Sequence, residues 1–148
     1  MANKRKSFGM CMDIEFPYTD EESDISEKVK RPRIKIKVFS DITKNWEVLD
    51  EVLADTGADF CVFPRFIGSL LTEDITKGKY VEIKGVVPGV KLIAYIHNLK
   101  IRVADKEFVA PVAIADSDDV PMIFGRVEGL DLFDADFFEG EKLTLSWK

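Results

Sequence analysis

The chain has 148 residues, a mass of 16.8 kDa, 46% hydrophobic residues, a net charge of -6 and a pI near 4.9. That length and apolar share suit one domain with its own core, and the acidic balance argues against a general nucleic-acid binder. Two cysteines, Cys11 and Cys61, are too few for a disulfide framework, and no apolar run reaches membrane-spanning length.

The first residues, Met1 to Met12, carry Lys4-Arg5-Lys6 but no apolar stretch of the secretory kind, and no Asn-x-Ser/Thr acceptor occurs. The expectation is a cytoplasmic protein in a reducing compartment, with no membrane contact. Met10 to Phe16 alternates well enough for a short strand. Thr19 to Glu27 is acidic and polar, so residues 1–30 read as a flexible or partner-ordered segment.

From Arg33 the pattern changes. Ile34, Ile36 and Val38 alternate with Arg33, Lys35 and Lys37, the period of a half-buried strand. Asp41 to Asn45 is turn-like. Trp46 to Ala54 is a second strand and Asp59 to Phe63 a third, with a turn at Asp55 between them. Pro64 to Leu71 fits a short helical turn with Pro at its start. Tyr80 to Ile83 and Val90 to Val103 form two strands around Gly85-Val86-Val87-Pro88-Gly89, a mobile hairpin tip. Phe108 to Ala115 is a strand, Pro121 to Phe124 a short one. Val127 to Phe133 suits a short helix with Leu130 and Phe133 on one side. Leu143, Leu145 and Trp147 alternate in a last strand. Many short strands with little helix give a mainly β domain.

The chemistry concentrates at Asp55-Thr56-Gly57-Ala58, a carboxylate on a tight turn between two apolar runs. Gly57 allows a close backbone approach, and the Thr56 hydroxyl can hold the turn. The flanking strands anchor the loop as a precise site requires. Hydrolysis by carboxylates needs one ionised and one protonated, and the element occurs once. The partner of a catalytic Asp55 must then be Asp55 of another subunit. The bland reading is an ordinary turn between strands.

Downstream, Met122-Ile123-Phe124-Gly125-Arg126 is an apolar run ending in Gly-Arg before the short helix. The order Leu53-Ala54-Asp55-Thr56-Gly57-Ala58-Asp59, then the glycine-bearing tip, then Ile123-Phe124-Gly125-Arg126 resembles the retropepsin-like aspartic proteases, single-domain homodimeric relatives of pepsin. The resemblance spans about Ile34 to Trp147 and places a protease domain at 31–148. It implies a pepsin-like closed β-barrel with one short C-terminal helix and an active site on a homodimer two-fold axis. It further implies that Asp55 of each subunit is catalytic, that Thr56 braces the two loops, and that Gly57 and Ala58 present backbone to a polypeptide substrate. Asp59 would pair with Arg126, Gly125 would pack behind the loop, and Gly85, Val86, Val87, Pro88 and Gly89 would form a flap over the peptide. No cofactor or metal is implied. Two carboxylates about 3 Å apart share one proton, so one activates water while the other polarises the scissile carbonyl, and activity should favour acidic pH. Ala54, Val127 and Pro88 depart from the usual pattern of the family and bear on substrate preference.

Other features take plainer readings. His97 is the single histidine, without a ligand cluster around it. Cys61 reads as a buried thiol. The basic run Lys28 to Lys37 reads as the solvated face of a strand, and Asp116-Ser117-Asp118-Asp119 as a polar turn. The rival functional class is a non-catalytic dimerisation or peptide-binding module of the same fold. A monomeric β domain with an accidental Asp-Thr-Gly is a third.

Overall fold

The computed structural model describes residues 3–6, 11–25, 28–84 and 89–148. The strands are β1 (Asn3–Lys6), β2 (Met12–Pro17), β3 (Thr19–Glu21), β4 (Val29–Arg31), β5 (Arg33–Phe39), β6 (Trp46–Ala54), β7 (Cys61–Phe63), β8 (Lys79–Lys84), β9 (Lys91–Val103), β10 (Lys106–Ala115), β11 (Ile123–Phe124), β12 (Asp134–Phe138) and β13 (Lys142–Trp147). Among the described residues the α-helix is α1 (Arg65–Leu71), which starts directly after Pro64 and packs Ile67, Gly68 and Leu71 inward.

Six strands close a barrel in the order β10, β7, β11, β6, β5, β9, with β9 pairing back onto β10. The mainly β, closed-barrel expectation holds. Strand β9 is long enough to serve two neighbours: its first half pairs with β8 and its last residues with β5. Strand β8 therefore hangs outside the ring, beside the barrel mouth. Alternation fixes which side faces in. Ile34, Ile36 and Val38 of β5 are buried while Lys35 and Lys37 are exposed.

A separate sheet runs β1, β2, β13, β12. Ile14, Phe16, Leu143 and Leu145 on its inner face join the same core as the barrel. Across Met12–Pro17 the N-terminal part of the chain is built into this sheet, where a short strand was expected: two large apolar side chains on β2 are buried, and β13 pairs with it along its length. The short hairpin of β3 and β4 follows. An edge-to-face series of rings, Phe108, Phe124, Phe133 and Trp147, ties the barrel to the outer sheet.

The helix expected over Val127 to Phe133 is shorter, a single 3-10 turn at Leu130–Leu132. Glu128 is left-handed (φ 50°) and Gly129 lies outside helical space, so no α-helix can start earlier. Leu130 and Phe133 are nevertheless both buried. Strand β12 was not anticipated from the sequence. Of the hairpin tip, Gly85, Val86, Val87 and Pro88 lie outside the described residues, and Gly89 has a left-handed φ of 84°.

Candidate active site

Asp55 follows the last residue of β6 and is half-buried beside the barrel mouth. The strand end that carries it is held from both sides. On one side, the Leu53 amide donates to the Met122 carbonyl and the Asp55 amide to the Phe124 carbonyl, both at 3.0 Å. On the other, the Ala54 amide donates to the Pro32 carbonyl at 3.0 Å. Ala54 is buried at the centre of this clasp.

The turn is closed by the aspartate itself. Oδ1 of Asp55 accepts from the Gly57 amide at 2.8 Å, and its carbonyl accepts from the Ala58 amide at 3.2 Å. A Cβ on Gly57 would stand 3.2 Å from that same Oδ1, so the bare backbone is what lets the carboxylate fold over the turn. Thr56 is exposed, and its hydroxyl makes no hydrogen bond among the described residues. Its part in bracing the turn within one chain is therefore not seen.

The Gly125-Arg126 segment packs against the loop as its position in the sequence suggests. A Cβ on Gly125 would overlap the Phe60 carbonyl and come within 2.9 Å of the Ala58 carbonyl oxygen. The Arg126 and Val127 amides donate to the Ala58 and Asp59 carbonyls at 3.0 and 2.8 Å. The Arg126 side chain approaches Asp59 at 3.7 Å, with the two side chains 46% and 75% exposed. That pair is wet and adds little; the backbone bonds do the holding.

A cleft of about 490 Å³ opens between this loop and the β8–β9 hairpin. Gly57, Ala58 and Phe60 form one wall, Val81 and Ile83 the other, with Ala113 at its base. Its lining is mostly apolar but includes the charged residues Asp59, Glu82 and Lys84. Tyr80 donates to Glu82 at 3.0 Å and stacks edge-to-face on Tyr95 at 5.8 Å, while Lys91 pairs with Glu82 at 3.2 Å.

The remaining candidates resolve into structural roles. Burial pushes the Cys61 thiol up to about 11, which leaves it without nucleophilic character. The His97 Nε2 lies 2.7 Å from the Ile75 carbonyl. Asp116 pairs with Arg65 at 3.1 Å, and Asp118 accepts from the Phe66 amide at 2.9 Å, so the acidic turn anchors the start of α1. Among the described residues, no group of three His, Cys, Asp or Glu side chains could hold a metal ion.

Sequence reasoning missed one cluster. Arg33, read as part of a solvated strand face, is forked onto Glu21 through Nε (2.8 Å) and Nη2 (2.9 Å), and its side chain is only 19% exposed. Thr19 donates to the same carboxylate at 2.9 Å, and Arg31 approaches it at 3.3 Å. Chiefly through the Arg33 hydrogen bonds, the Glu21 carboxyl is held down at about 2. A lowered folded value means that the stabilisation is present above the ordinary glutamate range and lost as pH falls toward about 2. The signal in the sequence was faint: an acid and an arginine 12 residues apart, joined by tertiary geometry alone.

With the geometry in place, solved structures supply the comparison. A retropepsin-like aspartic protease from Rickettsia conorii superposes with a TM-score of 0.61 over 93% of each chain, at 18% identity. The fold is retropepsin-like. The EIAV protease, solved with an inhibitor, aligns over 66% of this chain and 83% of its own at 20% identity, with a TM-score of 0.41. No protein-family profile and no curated protein sequence matches the chain. In the retropepsin-like frame, the loop bearing Asp55 stands at the junction of β6 and β7, clasped by β11. Among the described residues no helix is long and apolar enough to cross a membrane.

Proposed function

We propose that this protein is an aspartic endopeptidase, active as a homodimer in which Asp55 of two copies forms the catalytic pair. One observation carries the reading. A single half-exposed carboxylate sits on a turn fixed by main-chain hydrogen bonds, at the edge of an apolar cleft, in a retropepsin-like fold. A lone aspartate can accept a proton but has no neighbour to keep one. A second copy meeting the first at Asp55 supplies it.

The pair then divides the work. The ionised Asp55 takes a proton from water as that water attacks the scissile carbonyl. The protonated Asp55 donates to the carbonyl oxygen and helps pass a proton to the leaving amine. The peptide lies extended in the cleft, with Thr56 and the Gly57 backbone at the junction of the copies. Asp59, Gly125 and Arg126 hold the loop.

Cleavage of a mixed peptide library from acidic to neutral pH tests this, with Asp55→Asn compared at matched dimer content by sedimentation. Cleavage by the wild type, lost by at least about a thousandfold in the variant, is the expected result. A folded wild-type dimer that binds peptides without cutting them would make the protein a binding module instead. A strict monomer, or equal cleavage by both proteins, would remove Asp55 from the chemistry.

A further inference from the structure

Strand β6 does not run straight into Asp55. Its pairing with β5 shifts between Ile34 and Ile36: Ile36 lies opposite Leu49, and Ile34 opposite Val52. Asp50 and Glu51 thus face the single residue Lys35. This is a β-bulge, and Glu51 at its centre is left-handed with φ 59°.

The bulge sets where Asp55 points. Ahead of it, Leu49 faces the core. Without an extra residue the inward positions would continue as 51, 53 and 55, which would turn Asp55 into the barrel. The bulge switches the phase. Val52 and Ala54 become the buried positions, and Asp55 emerges half-exposed, two residues before Gly57 of the cleft wall.

A glutamate in left-handed space is a strained choice and persists only where neighbours hold it. The holder is visible. Arg33, the cross-strand partner of Leu53, donates from Nη1 to the Glu51 carbonyl at 3.2 Å. Its other two nitrogens, Nε and Nη2, are fixed by Glu21, itself held by Thr19 and Arg31 of the β3–β4 hairpin. One guanidinium therefore joins the N-terminal hairpin, the bulge and the strand end that bears Asp55. A lysine could not do so, having no planar fork to engage both oxygens of Glu21 while reaching Glu51.

We infer that Arg33, locked by Glu21, is a positioning residue that holds the Glu51 bulge in the register presenting Asp55 to the cleft. The inference rests on the reading of Asp55 as the catalytic group, but its structural half can be tested without catalysis. Glu21 lies in the segment that the sequence reading took as flexible or partner-ordered, so on this inference the N-terminal hairpin becomes part of the machinery.

The test uses the full chain with Arg33→Met, Arg33→Lys and the milder Glu21→Gln, and Lys35→Met as a control on the solvent side of the bulge. Amide hydrogen exchange is read at Leu53, Ala54 and Asp55, and at Ile101 and Val112 on other strands of the barrel. In Arg33→Met the first three should exchange at least about tenfold faster, with the distant pair within about twofold. Glu21→Gln and Arg33→Lys should move the same three amides less, and Lys35→Met should move none. In peptide cleavage kcat should fall about tenfold or more in Arg33→Met with KM little changed, since the cleft walls are intact and the carboxylate is misaimed. Unchanged exchange at the three amides in both Arg33→Met and Glu21→Gln would overturn the inference. So would an even acceleration across the barrel, or an equal effect from Lys35→Met. A wild type that cuts nothing would sink the peptidase reading, while the exchange pattern would still decide whether Arg33 sets the register.

Discussion

The Asp55 loop and the β8–β9 hairpin face each other across one cleft and are built on opposite principles. Around Asp55 the amides of Leu53, Ala54, Asp55, Gly57 and Ala58 all have acceptors within the chain, and the carbonyls of Ala58 and Asp59 are taken by β11's continuation. The side chains there are small: Ala54, Gly57, Ala58, Gly125. Among the described residues strand β8 has only β9 beside it, and what steadies the hairpin's outer face is a set of side-chain contacts among Tyr80, Tyr95, Glu82 and Lys91. Main-chain bonds over close-packed small residues make a rigid platform, and exposed side-chain pairs make a cover that opens at little cost. The proposed activity needs both, a fixed acid and a wall that admits a polypeptide.

The rigid half should break most severely at Gly125. Its missing Cβ is replaced by the Phe60 backbone, which has no rotamer by which to move aside. Gly125→Ala should therefore cost about 3 kcal/mol of stability and displace the Asp55 loop, abolishing cleavage in whatever fraction remains folded. Urea unfolding beside the activity assay measures both. A variant of wild-type stability and activity would show that the packing behind the loop is looser than the contacts imply.

The cover should respond more gently. Tyr80 is 52% exposed and contributes a ring contact to Tyr95 and a hydrogen bond to Glu82. Removing it as Tyr80→Ala should speed amide exchange in β8, at Val81 and Ile83, by roughly fivefold while leaving Asp55 and its neighbours unchanged. Peptide KM should shift more than kcat. Equal acceleration at Asp55 would mean that the two walls move as one body, and the contrast between them would fail.

How far the sequence disclosed this division depends on how local the signal was. The alternation of Ile34, Ile36 and Val38 is written residue by residue, and so is the Asp-Thr-Gly turn between two apolar runs. Gly125 was legible only through its order relative to Asp55. Strand β12 was hidden because four of its five residues, Asp134, Ala135, Asp136 and Phe138, are exposed, so no apolar period marks it. The bulge was hidden because its left-handed residue is Glu51, where a glycine would have drawn notice. Arg33 was read as solvated because nothing in a one-dimensional pattern tells a paired arginine from a free one.

The smallest effect is the most discriminating for the rigid half. Asp59 and Arg126 are the one ion pair at the loop among the described residues, and the family resemblance casts them as its tie. The 3.7 Å separation and the exposure of both side chains argue that water screens most of their attraction. The main chain of the same two residues makes the stronger connection: the Arg126 amide binds the Ala58 carbonyl, and the Asp59 carbonyl receives the Val127 amide. Asp59→Asn leaves those bonds untouched. It should therefore change unfolding free energy by less than about 0.5 kcal/mol, and a double-mutant cycle with Arg126→Gln should return a coupling of the same size. A coupling above about 1.5 kcal/mol would mean that charge, rather than backbone, holds the loop in place; a buried or networked pair would be needed to reach it, and neither side chain is buried here.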